Sequence, residues 1–250
     1  IDVLGEGRTI QAKEGRFEDD FAPYSVHLYK AAPASHTGRL KETAMKFPDF
    51  FARIPGLTLR DPLAELLGAA EGGLIEYRYV DAVKLAGHSC PTVAGAWLMT
   101  VRALRALYGD EMPVRGNLQV ALGETADNGV AGVMAAIAGL LTGAAGEGGF
   151  KGLGGRYGRR ELLRFGVAGI GGLAFTRRDR PVAVDCNLRL ETVPADPRLG
   201  ALLGAVLDGT ADAAARHLFG ELWQDRVRRI LIEHADDPAI VELRPPGRRD

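Results

Sequence analysis

The sequence predicts an α+β fold in which helices cover a mixed sheet. An apolar helical face follows Pro91 and runs to Gly109, and a second apolar run, 129–141, is typical of a buried helix. A strand-like segment, 117–122, separates them. Further helices flank the whole core. Three strand-like runs follow this helix–strand–helix segment, at 162–167, 173–177 and 181–190. Too few strands alternate with helices for a doubly wound sheet or a barrel.

Composition excludes several classes of protein. The 250 residues are 46% apolar with a net charge of −1, which is typical of a globular chain and predicts neither nucleic-acid nor anionic-membrane binding. The apolar run 129–141 is shorter than the roughly 20 residues of a membrane span. Two cysteines make no disulfide framework, so we expect a cytoplasmic protein. Because the chain starts at Ile1, a truncated or processed N-terminus stays open.

Three regions are predicted along the chain. Residues 1–46 form an N-terminal arm with one strand-like run, 24–29. Residues 47–191 form the core, which opens with two short helices, the second capped by Asp61-Pro62, and a strand over 74–80. Residues 192–250 form a C-terminal helical extension packed on the core.

His88 and Cys90 are the candidate metal ligands. Cys90 precedes Pro91 and is the predicted cap of the long helix, where free N–H groups and the helix dipole favour a thiolate. His88 lies two residues earlier, so both side chains can face the same side of extended chain. Imidazole and thiolate suit zinc, copper, iron or nickel. Zinc takes three or four ligands, so two residues do not complete the site.

Other interpretations of these residues stay open. Cys90 is, as a second functional interpretation, a candidate nucleophile with His88 as its base, and it is also typical of a small buried residue. Lys84 would add a positive charge near the pair. Cys186 falls on the same face of a predicted strand as Val182 and Val184 and is predicted to lie in the core. Candidates for a third ligand are also typical of surface or capping positions: Tyr77, Asp81, Glu124, Asp127 and Glu147.

Two motifs resemble those of the FmdE-like family of formylmethanofuran dehydrogenase components. Residues 81–95 contain its Gly-His-x-Cys-Pro signature, and 141–150 resemble its second, glycine-rich motif. The resemblance spans roughly residues 47–191. It implies a metal-binding core, often with zinc, and a homodimer. His88 and Cys90 then correspond to ligands of that family.

This chain departs from the family pattern at two points. Ala144 stands where the second motif commonly has a cysteine, and the C-terminal zinc ribbon of many relatives is absent from the sequence. The resemblance therefore implies a site with one thiolate, one imidazole and open positions. Open positions are what catalysis or haem ligation requires.

The glycine-rich segment 146–155 is the candidate lining of a cofactor pocket. Lys151, Arg156 and Arg159 are candidates for cradling a phosphate, but the segment fits neither the P-loop nor the dinucleotide pattern and is more typical of a tight loop. Nearby arginines suit the carboxylates of a ligand, haem propionates included. Candidate cofactor-binding residues are Lys84, Glu147 and Lys151.

Two arginine clusters are predicted to be solvated surface, because neighbouring acids dilute their charge. The clusters are 156–164 and 226–229.

The sequence thus leaves three hypotheses. The first is a metal- or haem-binding protein of the FmdE type with a redox or small-molecule role. The second is a thiol-dependent enzyme that uses Cys90 and His88. The third is a structural component that keeps only the fold.

Overall fold

The computed structural model describes residues 1–13, 16–20, 22, 26–30 and 45–245. Its contacts divide the chain into two compact units, 1–46 and 47–250. Of the predicted strand 24–29, Tyr24 and Ser25 lie outside the described residues.

The first unit carries a small antiparallel sheet. Its strands, in the order β2-β1-β3, are β1 (Asp2–Leu4), β2 (Arg8–Thr9) and β3 (Leu28–Lys30). The Arg8 guanidinium donates two hydrogen bonds, of 2.6 and 2.7 Å, to the Asp19 carboxylate. The Tyr29 hydroxyl of β3 donates to the same carboxylate at 2.7 Å. This carboxylate therefore ties β2 to β3.

The second unit opens with a helical turn and a hairpin-like strand pair. A 3-10 helix, Asp49–Arg53, precedes β4 (Leu57–Arg60), α1 (Pro62–Leu66) and β5 (Leu74–Tyr77). Strands β4 and β5 pair antiparallel. The two short helices are where the sequence places them, but it does not predict β4, which is only four residues long.

The predicted strand over 74–80 is too long. It ends at Tyr77, and α2 (Tyr79–Ala86) begins two residues later. Alternating aromatic residues suggest a continued strand, whereas Tyr79, Ala82 and Val83 recur at helical spacing and are buried together. The Asp81 carboxylate accepts the Arg78 backbone N–H at 2.8 Å, which caps this helix.

A five-stranded mixed sheet forms the centre of the second unit and confirms the α+β class. Its strands are β6 (Leu118–Leu122), β7 (Leu163–Arg164), β8 (Leu173–Arg177), β9 (Ala183–Leu188) and β10 (Val241–Arg244). Their order is β10-β9-β8-β6-β7, with β6 and β7 parallel and the other neighbours antiparallel. The sequence predicts β6 to β9 but assigns the segment of β10 to helix.

Four further helices complete this unit. They are α3 (Pro91–Tyr108), α4 (Ala131–Thr142), α5 (Leu199–Leu207) and α6 (Ala213–Arg228), which continues as a π-helical turn, Arg229–Glu233. Helix α3 packs on β9, where a Cβ at Gly95 would lie 2.3 Å from a methyl carbon of Leu188. Gly95 thus permits the close approach of helix and sheet. Within the described residues, no helix has the length and apolarity needed to cross a bilayer.

Candidate metal-binding site

The loop that carries the His-x-Cys motif connects α2 to α3. Gly87 ends α2 with φ of 75°, a left-handed conformation that favours glycine, and its N–H donates to the Val83 carbonyl at 2.8 Å. Pro91 then starts α3, with Cys90 as its N-terminal cap. The motif residues therefore occupy a tight connection whose two ends are fixed by helix caps.

Cys90 caps α3 with its sulfur. The Val93 backbone N–H donates to Sγ at 3.5 Å. The residue is 9% exposed and belongs to the main apolar core, and its thiol is free. Cys90 is therefore close to the surface but mostly enclosed.

His88 lies exposed in the same loop. Its Nδ1 is 2.9 Å from the Ala86 carbonyl oxygen. Because a carbonyl oxygen only accepts hydrogen bonds, Nδ1 carries the proton in this contact, and Nε2 of the neutral ring keeps a free lone pair. Metal-bound histidines commonly show this arrangement, with the second ring nitrogen donating to a backbone carbonyl.

Helix α6 holds the motif loop from the other side. The Trp223 indole and the Gln224 amide both donate to the Ser89 carbonyl, at 3.0 and 3.1 Å. The Ser89 hydroxyl shares a 3.0 Å hydrogen bond with the buried Tyr79 hydroxyl, and burial raises the pKa of Tyr79 above its ordinary value. The Tyr79 ring packs edge-on against Trp97 of α3. The residue between His88 and Cys90 is thus anchored to α2 and α6, and Tyr79 in turn packs against α3.

The three candidate cofactor-binding residues lie at the surface. Lys84 is in the last turn of α2, and Glu147 and Lys151 are in the glycine-rich loop after α4. Among the described residues, no hydrogen bond or ion pair joins these side chains to each other or to His88 and Cys90. The structure thus brings His88 and Cys90 into one loop by their sequence proximity, but it provides no contact linking the other three to it.

A complete metal site is not formed by one chain within its described part. No group of three or more His, Cys, Asp or Glu side chains there is arranged to hold an ion. Among the proposed third ligands, Asp81 is used as a helix cap, and Glu124, Asp127 and Glu147 are exposed. Cys186 is fully buried, as predicted, and its thiol donates to the Met99 carbonyl at 3.8 Å.

The sequence did not reveal a buried ion cluster around Asp61. Its carboxylate accepts from Arg159 at 2.6 Å and from Arg115 at 2.9 Å. Asp61 also caps α1, as predicted, by accepting the Leu63 N–H at 2.9 Å. Arg159 was expected to be solvated with its neighbours in the 156–164 cluster, and this is wrong, because only 8% of its side chain is exposed.

Opposing effects set the pKa values in this cluster. Burial acts to raise the pKa of Asp61, but the hydrogen bond from Arg115 and the charge of Arg159 outweigh it, so the pKa lies below its ordinary value. Burial lowers the pKa of Arg159 despite the charge of Asp61. No short-range sequence signal indicates the cluster, because 54 and 98 residues separate Asp61 from its two partners.

No protein-family model matches the chain, and no curated protein matches it. The resemblance to the FmdE-like family therefore remains an expectation that rests on the residues of the two motifs.

Proposed function

We propose that this protein binds a transition metal, zinc foremost, or a haem iron, as a protein of the FmdE type. The observation that carries the proposal is the hydrogen bond from His88 Nδ1 to the Ala86 carbonyl. In the neutral ring it favours the tautomer whose Nε2 lone pair is available, on a side chain that is exposed. His88 is the first ligand of the proposed site.

Cys90 is the second proposed ligand. The Cys90 sulfur accepts one N–H, from Val93, and keeps further lone pairs for a metal. The same N–H and the positive end of the α3 dipole favour its negative charge. Helix α6 supports the geometry by holding the Ser89 carbonyl between the two ligands.

A second copy of the chain is the proposed source of the remaining ligands. Two ligands do not close a zinc site, and the described part of one chain offers no third. A twofold homodimer that buries the exposed His88 loop would supply a second imidazole and thiolate. Haem, with one axial residue and the porphyrin nitrogens, needs fewer protein ligands.

Metal titration tests the proposal. We expect zinc, measured by competition with a chromophoric chelator, to bind at one ion per chain or one per two chains. His88→Ala and Cys90→Ser should each weaken binding at least about tenfold, since even indirect supports of metal sites contribute that much. His217→Ala is the matched control, because His217 is an exposed histidine on α6. Haemin is titrated in parallel, with its Soret band as the readout. Zinc and haemin binding that survives both variants unchanged contradicts the proposal.

A thiol-dependent enzyme is the second candidate, favoured by the Val93 N–H that points at Cys90 Sγ. Cys186 is an internal control, because burial raises its pKa to about 12 and keeps it protonated. This candidate predicts fast, stoichiometric alkylation of Cys90 by iodoacetamide in metal-free protein, slowed in His88→Ala. Alkylation of Cys90 as slow as that of Cys186 counts against it.

A further inference from the structure

A cavity of about 590 Å³ lies beside α4, in a part of the chain that the proposed metal site does not use. One wall is the small-residue face of the helix, formed by Ala135, Ala136 and Gly139. Phe150, Leu163 and Phe165 line it as well. The volume falls within the range of about 300 to 1,000 Å³ that is usual for small-molecule sites. This lining therefore suits the apolar part of a small-molecule ligand.

Two arginines line the same cavity and carry more charge than their partner balances. Arg115 and Arg159 share the single carboxylate of Asp61. Arg177 is buried at least as deeply as Arg159, but it ion-pairs with two carboxylates, those of Glu111 and Asp179. The cluster at the cavity therefore has one positive charge in excess, in a place where an unbalanced charge is unfavourable.

Arg159 also has an unfilled hydrogen-bonding position. Its Nη2 donates to Asp61, but within the described part of the chain its buried Nη1 has no partner. Arg115, in contrast, donates to the Leu140 carbonyl as well as to Asp61. A buried donor of a charged group that lacks an acceptor destabilises the folded state. Nη1 itself is closed off from solvent, so an anion in the cavity would supply the missing charge beside the guanidinium of Arg159.

The backbone around Arg159 leaves space for its guanidinium. A Cβ at Gly116 would lie 1.6 Å from Nη1, and a Cβ at Gly143 would lie 2.8 Å from it. Both glycines have positive φ, of 84° and 74°. Side chains at these positions would displace the arginine, so the cation is accommodated by specific residues and is not a chance surface charge.

We propose that this cavity binds a small organic anion, with its carboxylate or phosphate head at Arg115 and Arg159 and its apolar body along α4. Guanidinium groups are well matched to both kinds of oxyanion. The site does not involve His88 or Cys90, so it holds whether or not these residues bind a metal.

Calorimetric titration of the full chain tests this with three probes that share an eight-carbon body: octanoate, octyl phosphate and 1-octanol. We expect saturable binding of at least one anion and at least about tenfold weaker binding of the alcohol, which lacks the charge. The stronger of the two anions identifies the head group. Equal binding of all three probes, or binding of none, overturns the proposal.

Variants locate the binding. Arg159→Gln removes the buried cation and should weaken anion binding about tenfold or more. Ala136→Phe fills the cavity from an exposed position of α4 and should abolish binding even if Arg159→Gln does not fold. Arg156→Gln is the control and should leave binding unchanged, because Arg156 is an exposed arginine of the neighbouring loop. Anion binding that survives Ala136→Phe, or that is lost in Arg156→Gln, overturns the proposal.

Discussion

Single residues determine how charge is buried in the second unit. Asp61 is 3% exposed and accepts hydrogen bonds from two arginines and two backbone N–H groups of α1. The sequence predicts its role as a helix cap, because an Asp-Pro step is a local signal. The sequence does not predict Arg115 and Arg159 as partners of Asp61, because ion pairs between residues this far apart in the chain have no characteristic sequence spacing.

Replacing Asp61 by asparagine should therefore destabilise the protein strongly. The change leaves the buried guanidinium of Arg159 and the partly buried one of Arg115 without a counter-charge, for which we expect a loss of about 3 to 5 kcal/mol in the free energy of unfolding. Urea denaturation at pH 7 measures it. Asp236→Asn is the control, because Asp236 pairs with Arg105 at an exposed position and should change stability by about 1 kcal/mol or less. A loss as small as that of the control contradicts the assigned contacts.

The effect of Asp61 should also depend on pH. Its pKa is lowered in the folded protein, so its contribution is complete above the unfolded value of about 3.9 and disappears as the pH falls through the folded pKa. The stability difference between wild type and Asp61→Asn should accordingly shrink on acidification below pH 4. Denaturation curves at several pH values measure this, and a difference independent of pH contradicts it.

At the scale of elements, α3 was predictable from its cap residues, whereas the start of α2 was wrongly predicted as strand because its local sequence is compatible with both structures. Pro91 and Gly109 mark the ends of α3 in the sequence and in the structure. The Tyr77–Tyr79 alternation is equally compatible with a strand and with the first turn of α2, and packing against α3 decides for the helix. The motif loop between them was identified from sequence, but its anchoring by α6 was not, because Trp223 is more than 130 residues away.

Trp223→Phe tests that anchoring. Phenylalanine keeps an aromatic ring beside Phe219 but lacks the indole N–H that reaches the Ser89 carbonyl. Gln224 still donates to this carbonyl, so we expect a loss of about 0.5 to 1.5 kcal/mol in the free energy of unfolding. Chemical denaturation measures the loss, and amide exchange in the loop should accelerate. Unchanged stability and exchange argue against a role for α6 in holding the motif.

Two helix glycines should respond in opposite directions to alanine. Nothing lies within 4 Å of a Cβ at Gly220 in α6, so Gly220→Ala should stabilise by up to about 1 kcal/mol through helix propensity. At Gly139 in α4 the new Cβ would lie 2.8 Å from the Ala144 backbone oxygen, so Gly139→Ala should destabilise. Thermal melts of the matched pair measure both. The same sign for both variants contradicts the packing of α4.

At the scale of the whole molecule, the order of elements was readable but the composition of the sheet was only partly so. Apolar periodicity predicts α3, β6, α4 and the three strands that follow, in the observed order. The edge strand β10 was missed because it is four residues long and gains its structure from pairing with β9. The segment 192–245 therefore contributes a strand to the central sheet besides its helices.

The proposed metal site depends on the whole molecule as well. Sequence placed a histidine and a cysteine in one loop, and the structure adds the contact of His88 Nδ1 with the Ala86 carbonyl and the cap contact of Cys90. In the proposed site, ligands beyond these two would come from assembly or from a cofactor, which no spacing within a single chain encodes.

The proposal that His88 and Cys90 bind a metal or haem is tested most directly by elemental analysis of the protein purified without chelator, combined with its visible absorption spectrum. We expect a transition metal or haem iron bound at up to one per chain in the wild type and lost in both His88→Ala and Cys90→Ala. A metal content and spectrum that are the same in the wild type and both variants would contradict the proposed role of these residues.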